Sequence, residues 1–125
     1  MRLKQVPGEF GIAQLPQNAA IPPWVDGPGF WAISRADDEM TVICAEDRIP
    51  QAVTAEKGWH CFRSLGPFAF DETGVVAGLV GPLSVAGIGV FVVCTFDGEH
   101  ILCPARDFDR AKAILTREGH QFEPD

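Results

Sequence analysis

The stretch GPLSVAGIGVFVVCTFDGEH, residues 81–100, decides the fold. Its Gly87-Ile88-Gly89 invites comparison with the phosphate-cradling turn of a dinucleotide site. Such a site runs strand, G-x-G-x-x-G, helix, so that the pyrophosphate meets the helix N-terminus. Here the order is inverted, because the spacing predicts a helix that ends at Gly87 and a strand that starts after Gly89. The third glycine position is Val92. The positive end of the helix dipole is therefore not at this turn, and dinucleotide binding fails on chain direction.

Upstream of this stretch, CFRSLGPFAF (61–70) reads as a strand broken by Gly66-Pro67. VVAGLVGPLSVAG (75–87) then puts Val76, Leu79, Val80 and Leu83 at i, i+3, i+4 and i+7, the period of one helical face. Thr73 or Asp71 is placed to cap its start and Gly87 to end it. Gly78, Gly81 and Pro82 all oppose a regular helix, so a kinked one is expected.

Downstream, VFVVCTFD (90–97) is a strand apolar on both faces, with Val90, Val92, Cys94 and Phe96 on one side and Phe91, Val93 and Thr95 on the other. Asp97-Gly98 is a strong hairpin signal, and HILCPA (100–105) is the returning strand. Residues 107–119 read as a helix with Asp107 as N-cap, Gly119 at its end and an apolar stripe of Phe108, Ala111, Ile114 and Leu115. HQF (120–122) supplies a last short strand. The order β-α-β-β-α-β is that of a split-βαβ, ferredoxin-like unit.

The N-terminal half repeats the pattern in reduced form. EFGIAQL (9–15) is a strand, and NAAIPPWV (18–25) is too short and proline-rich for a long helix. FWAISR (30–35) and MTVICA (40–45) flank a hairpin at Ala36–Glu39. IPQAVTAEKG (49–58) is expected to form a short helix and WHCF (59–62) a closing strand. The predicted fold class is thus α+β, with two ferredoxin-like halves, 1–61 and 62–125, packed side by side. Their boundary lies near Gly58–Leu65, where one strand can serve both.

The charge balance narrows the function. Net charge is −7 over 125 residues. It is spread evenly and no Lys/Arg cluster interrupts it, so the counterion-release term behind nucleic-acid affinity is missing. No apolar run approaches the ~20 residues of a bilayer span. MRLKQVPGEFG reaches Pro7 before any apolar signal region develops, which points to a cytoplasmic location. In a reducing compartment Cys44, Cys61, Cys94 and Cys103 are expected as small core hydrophobes, not disulfides.

Asp71-Glu72-Thr73-Gly74 precedes the first helix of the C-terminal half, where free amides can receive a carboxylate while Asp71 pairs with an ammonium group. In a split-βαβ sheet this loop and Gly87-Ile88-Gly89 are expected to face each other across one crevice, complementary to the two ends of an amino acid. The plainer alternative is a capped helix and a glycine turn with nothing bound.

TGVVAGLVGPLSVAGIGVFVVCTFDGEHILCP (73–104) resembles the ACT-domain family of amino-acid-sensing regulatory modules, in particular the stand-alone tandem ACT proteins related to the CASTOR arginine sensors. The likeness rests on Thr73-Gly74, Pro82-Leu83, Ala86-Gly87-Ile88, Phe91, Thr95-aromatic-Asp97 and Ile101-Leu102, within residues 68–118. Over the N-terminal half it is one of topology alone. It implies ACT-type halves and a small ligand bound by Asp71, Glu72, Thr73, Gly74 and Val75, with Gly87, Ile88, Gly89 and Val90 opposite and Thr95 adding a hydroxyl. Two departures bear on the ligand: Cys94-Thr95 replaces the usual Ser-Thr, and the turn reads Asp-Gly-Glu-His in place of Asp-Thr-Asp-aromatic.

The expectation is therefore a regulatory sensor without catalysis, cofactor or metal, its output passing to another protein or to a self-associated form. Neighbours His60 and Cys61 point to opposite faces of a strand and cannot easily share a metal. Glu46-Asp47 and Asp37–Glu39 read as solvated turn charges. Trp24, Trp31 and Trp59 read as core or interface of the N-terminal half. Two rival readings are a dimerisation module with no small ligand, and an enzyme using Cys/His or a nucleotide.

Overall fold

The first strand is longer than its pattern suggests. The computed structural model describes residues 1–66, 68–69 and 71–124, and β1 runs from Arg2 to Leu15. The chain divides into two compact units, Pro7–Trp59 and Met1–Val6 with His60–Asp125. A second long strand, β4 (Ala55–Ser64), also contributes residues to both.

In the unit Pro7–Trp59, β2 (Ala32–Arg35) and β3 (Met40–Ala45) form a hairpin closed by the Ala36 N–H on the Glu39 carbonyl at 2.8 Å. β3 pairs antiparallel with β1 from Phe10↔Ala45 to Leu15↔Met40, giving the order β2-β3-β1-β4. Ala13, Val25, Met40, Val42, Cys44 and Ile49 form the core. Trp24 packs against it, while Trp31 is 39% exposed.

The helix expected over 49–58 is not formed. Its only helical character lies upstream, in a 3-10 turn at Glu46–Arg48, and Ala55 already belongs to β4. The cause is tertiary: the Gln14 N–H takes the Thr54 carbonyl at 2.9 Å, drawing the segment to the sheet against its local propensity. Arginines fasten the irregular segment before β2. Arg35 donates to the carbonyls of Gln17 and Ala19, and Arg48 to those of Val25 and Pro28.

The other unit has the order β4, α1 (Val75–Val85), β5 (Phe91–Cys94), β6 (Glu99–Pro104), α2 (Phe108–Arg117), β7 (Gln121–Phe122). The sheet order is β7-β1-β4-β6-β5. The start of β1 thus inserts between β4 and β7, with Arg2↔Gln121 and Leu3↔Phe122 in parallel register. That insertion was not legible, because Arg2–Val6 alternates too weakly to announce a strand. The strand expected over 61–70 ends at Ser64, and its expected continuation includes Pro67 and Phe70, which lie outside the described residues. β5 is shorter than the run 90–97 and occupies the end of the sheet order.

Both helices pack against Leu3, Phe62, Ile101 and Cys103. In α2 the expected Phe108, Ala111, Ile114 and Leu115 are all buried. In α1 the buried stripe is Val75, Leu79 and Leu83, and Val76 faces out at 36% exposure. The apolar face is rotated from the expected one because the helix starts with Val75 against the core. Neither Thr73 nor Asp71 caps α1; Gly74, at φ +82°, holds the N-cap position with no side-chain bond.

Both helices end alike. The Ile88 N–H reaches the Leu83 carbonyl at 2.9 Å and the Gly87 N–H reaches Ser84 at 3.0 Å, a Schellman closure with Gly87 at φ +76°. At α2, His120 and Gly119 repeat it on Leu115 and Thr116.

Candidate functional site

α1, the β5–β6 hairpin and Phe68-Ala69 of the loop before the helix line an open cavity of about 400 Å³ at the N-terminal end of α1. Glu72, Gly74, Val75, Val76 and Ala77 line it from the helix side, and Cys94, Thr95, Phe96, Gly98 and Glu99 from the hairpin. Each side brings its own chemistry. Because no side chain caps α1, its first-turn amides form an electropositive end. The hairpin brings a carboxylate, Glu99, only 8% exposed.

The hairpin is held by local bonds. Cys94 pairs with Glu99 across β5 and β6. Between them the Thr95 N–H and hydroxyl both donate to the Gly98 carbonyl, at 2.7 and 3.1 Å. The Thr95 hydroxyl proton is therefore engaged in the turn, leaving its oxygen as an acceptor. Ser64 on β4 anchors Glu99 reciprocally: its Oγ donates to Glu99 Oε2 at 2.7 Å and accepts the Glu99 N–H at 3.0 Å. A Cβ on Gly98 would lie 2.7 Å from Ser64 Oγ, so only glycine lets the turn approach this clamp.

Of the residues expected to bind, Glu72, Gly74, Val75 and Thr95 line this cavity. Asp71 and Thr73 are exposed neighbours on the same loop. Gly87, Ile88, Gly89 and Val90 lie at the other end of α1. Eleven residues at 1.5 Å each separate the two ends by about 16 Å. The two glycine-bearing turns therefore do not face each other across one crevice. A helix that follows β4 starts at one end of the sheet and delivers β5 from the other. Ile88, moreover, is buried in the core.

Glu99 lines the cavity but is absent from the expected set; a two-residue turn at Asp97-Gly98 would pair it with Phe96, whereas the structure pairs it with Cys94 across a longer loop.

Other titratable groups are arranged for packing. Burial pushes the Cys61 thiol up to about 12 and the Cys103 thiol up to about 11. Burial, and then the Arg63 charge, lower His100 to about 4. Protonated buried thiols lack the thiolate character a nucleophilic cysteine uses. Cys94, expected in the core, is instead exposed. Among the described residues no group of three His, Cys, Asp or Glu stands together to hold a metal. No described helix is long and apolar enough to cross a membrane.

An α+β unit of this element order belongs to the split-βαβ, ferredoxin-like class of folds. The ACT domain family model matches residues 54–117, just over half of the chain, and the chain belongs to that family. A second family model, describing an N-terminal domain, matches residues 8–52. The cytosolic arginine sensor for mTORC1 subunit 1 of Homo sapiens is 37% identical over 96 residues, which cover 70% of this chain and 29% of that protein. Its Bos taurus counterpart is 30% identical over 104 residues, covering 73% and 32%.

The chain thus spans about a third of the length of the curated relatives it matches. Among solved structures, protein Atu0741 from Agrobacterium tumefaciens is 48% identical with a TM-score of 0.94, over 99% of this chain and 92% of that one. The regulatory subunit of aspartate kinase from Thermus flavus shares the fold at 9% identity, with a TM-score of 0.60 over 93% and 94% of the two chains.

Proposed function

We propose that this protein is a non-catalytic regulatory module that binds an amino acid in the cavity between the start of α1 and the β5–β6 hairpin. The observation that carries the reading is the pairing of opposite chemistries across one cavity. The uncapped α1 amides suit a carboxylate, and Glu99, clamped by Ser64, suits an ammonium or guanidinium group. Glu72, Gly74, Val75 and Thr95 complete the site, with Asp71 and Thr73 flanking its mouth. Relatives named as arginine sensors and aspartate kinase regulatory subunits support an amino acid, and the former make arginine the first ligand to try.

The module acts in the cytoplasm as two ACT-like halves, 1–61 and 62–125, and passes its signal to a partner protein. A ligand does this only as far as it prefers one of two states. A second reading, a dimerisation module, is favoured by β5. It ends the sheet order with Phe91, Val92 and Val93 only half-buried, and Phe96 beside it is 77% exposed.

Thermal shift against each of the twenty amino acids tests the proposal. A ligand at a hundred times its Kd adds about 2.7 kcal/mol to stability, a shift of several degrees. Arginine is expected to raise Tm in the wild type and to lose that effect in Glu99→Gln, which keeps the side-chain shape and removes the charge. The reading is overturned if no amino acid shifts Tm, or if Glu99→Gln responds like wild type. Tight self-association without any ligand response would support the dimerisation module instead.

A further inference from the structure

We draw no further inference here: the strongest candidate, the cavity of the N-terminal unit lined by Glu9, Glu46 and Asp47 beside Phe10 and Phe30, is an acidic cluster at which no second observation points to a ligand.

Discussion

His120 Nε2 stands 3.2 Å from the carbonyl oxygen of Gly78. In a regular helix that carbonyl accepts from the N–H four residues on, but here the residue is Pro82, which has none. Because a carbonyl only accepts, Nε2 carries the proton. Nδ1 is then the acceptor facing the Met1 nitrogen at 3.1 Å. A side chain just beyond α2 thus repairs the gap that a proline opens in α1.

His120→Ala is expected to destabilise the fold by about 1–2 kcal/mol, through loss of the bond to the half-buried Gly78 carbonyl and of the contact with the Met1 amino group. Pro82→Ala restores the missing N–H, so in that background the same histidine change should matter less by about 1 kcal/mol. Urea melts of the two single variants and the double variant measure this coupling. Additive effects would show that the histidine does not compensate for the proline.

Two glycines separate conformational from steric demands. Gly87 sits at φ +76° with open space where a Cβ would be, so Gly87→Ala should destabilise by about 1 kcal/mol, through backbone strain alone. Gly98 is crowded instead: its Cβ would meet Ser64 Oγ at 2.7 Å, disturbing the hydroxyl that holds Glu99. Gly98→Ala should cost about 1–3 kcal/mol. It should also weaken any ligand response that depends on Glu99, whereas Gly87→Ala should leave that response intact. Equal ligand responses in the two variants would argue against a shared Ser64–Glu99–Gly98 unit.

What was legible in the sequence follows from which interactions are local. The C-terminal unit read almost in full, because α2's stripe, the Asp97-Gly98 hairpin and the glycine helix ends are written within a few residues of where they act. The helix misplaced over 49–58 and the unseen start of β1 failed for the opposite reason. Both were decided by strand partners far along the chain, through the Gln14–Thr54 bond and the pairing of Arg2 and Leu3 with Gln121 and Phe122. Four of the ten expected residues do not join the others in one crevice, because α1 runs from one end of the sheet to the other: Gly87–Val90 follow it in sequence and so lie a helix length from Glu72. The substitute, Glu99, is brought in by β6 and needed the register to be found.

Acid should weaken the fold through His100. The residue is 9% exposed, and burial followed by the Arg63 charge lowers its imidazole from 6.5 to about 4. The unfolded chain therefore binds a proton between those values that the folded one refuses. Stability contributed by the neutral form is fully present above 6.5 and is lost as pH falls toward 4, at up to about 1.4 kcal/mol per pH unit, roughly 3 kcal/mol in all. Glu46 opposes this, since its hydrogen bond with Glu9 raises its carboxyl and favours a protonated folded state at low pH. Urea melts across this range should show the slope in wild type and a flatter profile in His100→Gln. An unchanged slope in that variant would assign the acid sensitivity elsewhere.

Thiol labelling reads the cavity directly. Of the four free cysteines, Cys44, Cys61 and Cys103 are buried and only Cys94 is exposed. Burial raises the Cys44 thiol, and holds Cys61 and Cys103 at about 12 and 11, so these three lack both access and thiolate. An alkylating or disulfide-exchange reagent should therefore modify one thiol in the folded protein and all four in denaturant. Cys94→Ser should abolish the native reaction. Because Cys94 lines the cavity beside Thr95 and Glu99, arginine seated there should slow its labelling in wild type and have no effect in Glu99→Gln. Protection that persists in Glu99→Gln would detach the ligand from that carboxylate, and a second reactive thiol in the native protein would contradict the burial of the sheet.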